Sequence, residues 1–316
     1  MNWTVKDMIY LKLNGRIGNQ LFMYAVAETI RNMKGTDEVI IIDDYGNIAP
    51  DGTKYENSLV HYNLKNVRFV HDSKSWHSMG MLPMRLKWFF IKHVLERGKN
   101  NDEIYRINLK CQKLFNALGI FHMQDGYVEY PHSFRKNVLV SGYFQSEKYF
   151  LSVKNELSNK FRIEEELINS NYPNLDLIKR RNTVCISIKV QHNAGNYMYD
   201  VCTKDYYEKA IRKIEEIVDN PLFFVCSDNV EYVKEHLIDT EKYDVICQEK
   251  GFPVHISLAV MARCKHYIIG NTSFGWWAQY LSTYDNKVVI APSRWYNGQG
   301  DWQYDIYMDD WTVIDV

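Results

Sequence analysis

The chain has 316 residues, enough for two domains or one large one. With 46% hydrophobic residues a buried core is within reach, and a formal net charge of −1 gives no long-range pull on nucleic acid, which argues against a polyanion binder. Six scattered cysteines without a CxxC pair, several inside apolar runs such as TVCISI and FFVCSD, read as small core residues in a reducing compartment. The aromatic content of 14%, including 23 tyrosines and eight tryptophans, supplies flat rings of the kind that carry sugars and bases.

MNWTVKDMIYLKL contains no apolar stretch of leader length, and no later run is long enough for a bilayer, so the expectation is a soluble, cytoplasmic protein. Met8–Leu13 reads as a buried strand, NQLFMYAVAETIRNMKG as a helix capped by Gly35, and Glu38–Asp43 as the next strand. From Trp76 to Ser170 the pattern is mostly helical. It includes a basic amphipathic segment around Arg85–Arg97, whose alternatives are a solvated face and contact with the inner membrane surface. A polar stretch at Asn171–Asn182 separates the halves. Beyond it TVCISIKV, LFFVCS, YDVIC, HYIIG and KVVIAP read as strands alternating with helices, which implies parallel sheets flanked by helices. The expected class is α/β, with two Rossmann-like domains facing a cleft. Residues 1–170 would form an acceptor-side domain, 171–300 a nucleotide-sugar-binding domain, and 301–316 a tail packing back on the first.

Ligands of such sheets gather beyond the carboxyl ends of the strands, where four loops qualify. NGRIGNQ follows the first strand; its glycines allow close backbone approach, and Arg16 can fork onto a phosphate. QHNAGN follows CISIKV. CSDN has Ser227 and Asp228 poised to cap the next helix. GNTSFGWW offers Asn271, Thr272 and Ser273 at a helix start, more oxygen and amide groups than one cap needs. No Asp-x-Asp pair, metal-ligand spacing, Gly-x-Ser-x-Gly or P-loop pattern occurs. A diphosphate bound here would have to be neutralised by protein cations and backbone N–H groups.

Several segments, in order from Met8 to about Asn297, resemble glycosyltransferase family 11, the bacterial α-1,2-fucosyltransferases. GRIGNQLFMYA is similar to that family's GxGNQLFQYA, SGYFQSEKYF to GYWQSEKYF, and FFVCSDNVEYVKEHL to FFVFSDDxEWVKENL. MARCKHYIIGNTSFGWWAQYL, followed by KVVIAPSRWYN, matches in the same way. The resemblance implies a GT-B-like fold, GDP-fucose as donor, inversion at the anomeric carbon, a glycan acceptor whose default is a galactose 2-hydroxyl, and no metal or other cofactor. It places Arg16, Gly18, Asn19, Gln20, Lys189, Ser227, Asp228, Asn271, Thr272, Ser273 and Phe274 against the donor. Among these Lys189 and Asn19, with His192 as base or phosphate partner, take catalytic roles.

One segment departs from the family. Its HxRRGDY motif falls on Ser187, Ile188, Lys189, Val190, Gln191, His192 and Asn193; Ser257 and Gly275 are lesser changes. An arginine grips a phosphate with two donors, whereas lysine offers a point charge. Three readings follow: a fucosyltransferase using Lys189 and Arg16, the same reaction with another nucleotide sugar, or a glycan-binding protein that has lost catalysis.

Overall fold

The computed structural model describes residues 8–35, 39–49, 52–191, 193–248, 251–298 and 300–316, and divides into two compact units, Met1–Lys160 and Phe161–Val316. In the first, the apolar run MIYLK forms β1 (Met8–Lys12), buried along its whole length. A turn at Gly15 leads into α1 (Ile17–Lys34) and then β2 (Val39–Asp43). α1 is buried nearly all round, and Gly35 ends it in the left-handed region (φ 62°), donating its N–H to the Asn32 carbonyl, as the sequence requires. Its buried Glu28 is neutralised by Arg31 and, at 2.8 Å, by Lys160.

The unit continues through β3 (Val67–Val70), α2 (Ser73–Trp76), and α3 (Leu82–Phe89), which runs into a π-helical turn over Phe90–Leu95. α4 (Asn101–Ala117) starts with a capping box between Asn100 and Glu103; β4 (Ile120–His122), β5 (Val138–Ser141) and α5 (Lys154–Lys160) follow. All strands are parallel, in the order β3-β2-β1-β5-β4. Met8, Tyr10, Ile41, Ile120 and Leu139 face one side and share a core with Met84, Ile91 and Phe115, so α3, the π turn and α4 cover that face. Alternate residues such as Ile9, Leu11, Ile40 and Ile42 belong to the other face. The expectation of a mostly helical region from Trp76 onward misses β4 and β5. At three and four residues, they are too short to show a period of two.

The second unit comprises α6 (Glu165–Asn171), α7 (Leu175–Arg180), β6 (Thr183–Ile188), α8 (Lys204–Glu215), β7 (Leu222–Ser227) and α9 (Val230–His236). β8 (Val245–Cys247), α10 (Val254–Met261), β9 (His266–Ile269), α11 (Ser273–Tyr280), β10 (Val289–Pro292) and β11 (Thr312–Ile314) complete it. It begins ten residues before the expected boundary because Phe161 packs edge-on against Trp277 at 5.6 Å and the Ile163 carbonyl accepts from Arg263. The expected polar linker contains α7, anchored by buried Leu175 and Ile178. The tail is also corrected: β11 pairs with β10, and the Trp276 indole donates to the Ile306 carbonyl at 2.8 Å, so residues 301–316 belong to the second unit.

A buried charge group sits beside β4. His122 donates through one ring nitrogen to Glu96 and through the other to the Ser141 carbonyl, while Lys92 reaches the second Glu96 oxygen at 2.7 Å. Burial opposes ionisation of Glu96, but His122 and Lys92 outweigh it and hold the carboxyl at about 2. Nearby Asp125 has no such partner among the described residues; burial, reinforced by the Glu96 charge, pushes its carboxyl up to about 7. A carboxyl raised in the folded state favours folding below the unfolded value near 3.8 and loses that advantage as pH rises through about 7. Asp125→Asn is therefore expected to raise the unfolding midpoint at pH 8 and leave it nearly unchanged at pH 4, as read by calorimetry; an equal effect at both would show that no ionised carboxylate is being relieved.

Candidate functional site

Each unit has a topological switch point, where chain connections leave to opposite sides and strand ends open a crevice. In the first it lies between β1 and β5. The turn after β1 is set by Gly15 at φ 76°, where an added Cβ would stand 2.8 Å from the Asn19 amide. Asn47 holds this turn with two hydrogen bonds, accepting from the Gly15 N–H at 3.0 Å and donating to its carbonyl at 3.1 Å. From the neighbouring strand end, Tyr143 accepts from Asn14 and Gln145 donates to Asn19 at 2.8 Å. Arg16 is exposed at the N-cap of α1, over the Tyr55 ring, and the first turn of α1 carries no acidic side chain. Its unpaired N–H groups face the same edge of the sheet and favour an anion.

Two residues of this loop are not placed as expected for ligand contact. Gln20 is fully buried; it donates to the Gly15 and Glu56 carbonyls and accepts from Ser58, so its amide braces the loop from behind. Gly18 is buried within the first turn of α1. Arg16 and Asn19 remain on the accessible side.

In the second unit the sheet order β11-β10-β9-β6-β7-β8 puts the switch point between β6 and β9. There Lys189, one residue past β6, neighbours the segment Gly270–Phe274 past β9, and the Gly270 N–H donates to the Ser187 carbonyl at 3.0 Å. Thr272 caps α11, accepting from the Phe274 N–H at 3.2 Å. The Asn271 amide donates to the Tyr199 and Trp295 carbonyls, both at 3.0 Å, and so ties three loops together at this edge. Ser273 and Phe274 are half-buried at the helix start. His192 lies outside the described residues.

The expected capping by Ser227 or Asp228 is corrected. Asn229 caps α9, and Asp228 instead accepts the backbone N–H groups of Val190 and Gln191 at 2.7 and 3.3 Å; Ser227 accepts from the Asn229 N–H. The Asp228 side chain therefore occupies two backbone N–H groups of the loop after β6. Arg294, two residues past β10, is a cation to which the sequence reading gives no role. It lies half-buried with Nε donating to Asn297, whose amide in turn holds the Tyr197 and Asp200 carbonyls. The signal was present, because the SRWYN stretch was recognised while its arginine was given no role. Among the described residues, no group of three His, Cys, Asp or Glu side chains is arranged to hold a metal ion.

Departures from the family at Ser187, Val190, Ser257 and Gly275 fit their local packing. An added Cβ on Gly275 would meet the Ser187 side chain at 2.8 Å, so the two changed positions accommodate each other. Ser257 accepts from Gln248, which accepts from the Cys226 thiol, a closed polar set under α10. Val190 is only 8% exposed and belongs to the apolar core of the unit, together with Ile186, Tyr207 and Val225. Val190→Arg, a return to the family residue, is thus expected to cost stability, about 3 kcal/mol or more from burying an unpaired charge, and to leave nucleotide affinity unimproved. Chemical denaturation and calorimetric titration with GDP measure the two effects.

The model of glycosyltransferase family 11 matches residues 8–315. The O-antigen biosynthesis glycosyltransferase WbnK of Escherichia coli is 24% identical over 97% of this chain and all of its own length. The α-1,2-colitosyltransferase of the same species is 26% identical, over 98% of this chain and 99% of its own. Among solved structures, the fucosyltransferase NodZ from Bradyrhizobium shares the fold, with a TM-score of 0.55 at 14% identity over 90% of this chain and 97% of that one. Two parallel α/β units of this topology are the architecture of the GT-B type. With its motifs spread over both units and the family's pattern matched from β1 to β11, the chain belongs to glycosyltransferase family 11.

Proposed function

We propose that the chain transfers fucose from GDP-fucose, with inversion, to a hydroxyl of a surface glycan or its precursor, a galactose 2-hydroxyl being the default acceptor. The observation that carries this reading is the switch point of the second unit. There Lys189 and the start of α11 stand side by side at the carboxyl edge of a six-stranded Rossmann-like sheet, with Arg294 past the next strand. Departure of a nucleoside diphosphate builds negative charge on the β-phosphate, and preorganised cations and N–H groups stabilise that charge most in the transition state. Lys189, Arg294 and Arg16 are the cations for this task. Asn19, Asn271, Thr272 and Ser273 supply hydrogen bonds, Phe274 packs on the nucleotide, and the leaving group is neutralised without a metal or other cofactor. Asp228 acts by shaping the loop after β6, and Ser227 by shaping the turn after β7.

A second donor is favoured by one observation. The loop after β6 carries Lys189 and a buried Val190 in place of two arginines, and a full-length relative is named as a colitosyltransferase. A nucleotide-linked colitose or another nucleotide sugar is the alternative substrate of the same reaction. Thermal shift with a panel of nucleotide sugars separates the two. A donor at 100 times its Kd is expected to add about 2.7 kcal/mol of stability, and Lys189→Ala to weaken GDP binding roughly 10- to 100-fold. Stabilisation by a different sugar nucleotide, and none by GDP-fucose, transfers the assignment to that donor.

The acceptor of such a reaction is commonly carried on a lipid, and the first unit has a face suited to an anionic membrane. Residues 82–118 hold eight Lys or Arg against three Asp or Glu in a chain of net charge −1. α3 with its π turn and α4 bury Met84, Ile91 and Phe115 in one core, so both turn their outer sides away from the same sheet face. Those outer sides expose Leu86, Phe89, Val94, Leu109 and Leu114, interleaved with Arg97, Lys99, Arg106, Lys110 and Lys113. Among the described residues no helix is long and apolar enough to cross a membrane. Peripheral contact with the cytoplasmic face is the mode proposed. The chain is expected to sediment with phosphatidylglycerol vesicles and not with phosphatidylcholine vesicles, and Leu86→Glu with Phe89→Glu to abolish sedimentation without shifting the unfolding midpoint.

A further inference from the structure

The chemistry proposed above requires a base for the acceptor hydroxyl. We infer that His71 is that base, held in place by the buried carboxylate of Asp44; the inference rests on the nucleotide-sugar reading. Asp44 directly follows β2 and His71 directly follows β3, so both stand at the carboxyl edge of the first sheet, the edge where ligands of parallel sheets bind. The Asp44 side chain is 4% exposed, and its Oδ2 lies 2.6 Å from His71 Nδ1. Among the described residues, His71 is the one side chain to which this carboxylate bonds. A carboxylate can only accept, so Nδ1 carries a proton, and in the neutral imidazole the lone pair is on Nε2. The His71 side chain is half exposed and stacks on the Phe69 ring at 5.4 Å, so the ring is held on two sides, and among the described residues no hydrogen bond engages its other nitrogen.

A second observation couples this dyad to the glycine loop. Asp44, Tyr45, Gly46 and Asn47 form a β-turn, closed by the Asn47 N–H on the Asp44 carbonyl at 3.1 Å, with Gly46 at φ 77° in the third position. One end of the turn orients His71. The other end is the Asn47 side chain that clamps Gly15. Beneath it Lys12 bonds the Tyr45 carbonyl and pairs with Asp43 at 3.1 Å, and Asp43 accepts from Tyr10, so the turn rests on a buried polar network. The base and the loop beside Arg16 and Asn19 are thereby built on one rigid piece of backbone.

In the step this geometry supports, His71 Nε2 takes the proton of the acceptor hydroxyl. The oxygen's electron pair forms the bond to the anomeric carbon, and the carbon–oxygen bond to the β-phosphate breaks with its pair leaving on the nucleoside diphosphate. The imidazolium then returns its proton to solvent. The Asp44 carboxylate stabilises the imidazolium.

The test measures GDP release from GDP-fucose, with methyl β-galactoside and with water as acceptors, together with calorimetric Kd for GDP. His71→Ala is expected to lower release by about 10²- to 10⁴-fold at unchanged Kd, with added imidazole restoring part of the rate. Asp44→Asn, which keeps shape and loses the orienting charge, is expected to lower kcat with KM and Kd preserved. Release by His71→Ala within threefold of the unsubstituted chain overturns the assignment, as does a loss that imidazole leaves untouched while His71→Gln recovers the rate. An unsubstituted chain that fails to bind GDP overturns the nucleotide reading itself and this inference with it; that result is distinct because it appears in the Kd before any rate is read.

Discussion

The two hydrogen bonds between the Asn47 side chain and the backbone of Gly15 are the constraint on which the first unit's chemistry depends. Gly15 holds a left-handed conformation, with the Asn19 amide 2.8 Å from where a Cβ would be, and such a turn keeps one shape only when its surroundings over-determine it. Asn47 supplies one restraint and buried Gln20 another, from the opposite side. Loss of either would leave the start of α1, with its open N–H groups and Arg16, free to sample other positions. Preorganisation is what makes a loop's donors valuable to a developing charge, because nothing then has to move at the moment of reaction.

The second unit meets the same requirement with different parts. Asn271 bonds two carbonyls from distant loops, Asp228 closes the loop after β6 onto its own N–H groups, and Gly275 leaves room for Ser187. Position 190 lies in the apolar core, so a valine there belongs to the packing. Two of the changed positions, Ser187 and Gly275, lie against each other, and the changes there fit together.

Much of this was legible in the sequence. The βα alternation after residue 182 and the Gly35 cap followed from periodicity and from glycine chemistry. What stayed hidden has physical reasons. β4 and β5 are shorter than one readable repeat, and α7 sits in a polar stretch with only two inward apolar residues. Gln20 and Asp228 could not be told from ligand contacts, because a buried amide bracing a loop and an exposed one facing a sugar have the same letter. The Asp44–His71 pair was invisible for a related reason. Its members lie 27 residues apart in sequence, and only the parallel pairing of β2 with β3 sets their side chains together.

Transfer of a sugar needs stabilisation of a leaving diphosphate and activation of an incoming hydroxyl, and these make opposite electrostatic demands. The leaving group calls for fixed cations, whereas a base must stay neutral until it takes its proton, which a cluster of cations beside it would oppose. Within the first unit the two are separated: Arg16 stands at the glycine loop past β1, and the imidazole of His71, backed by a carboxylate, stands past β3. On the first unit, Lys12 carries a charge near that carboxylate, but it is paired with Asp43 and covered by the Trp76 ring, so its field is largely spent within the buried network. Arg16 is the exposed cation of the glycine loop, and it stands on β1's side of the Asp44–Asn47 turn, with β2 between it and the strand that carries His71. A sheet whose strand order separates cation from base by one strand can meet both demands with short loops, and without a dedicated third domain.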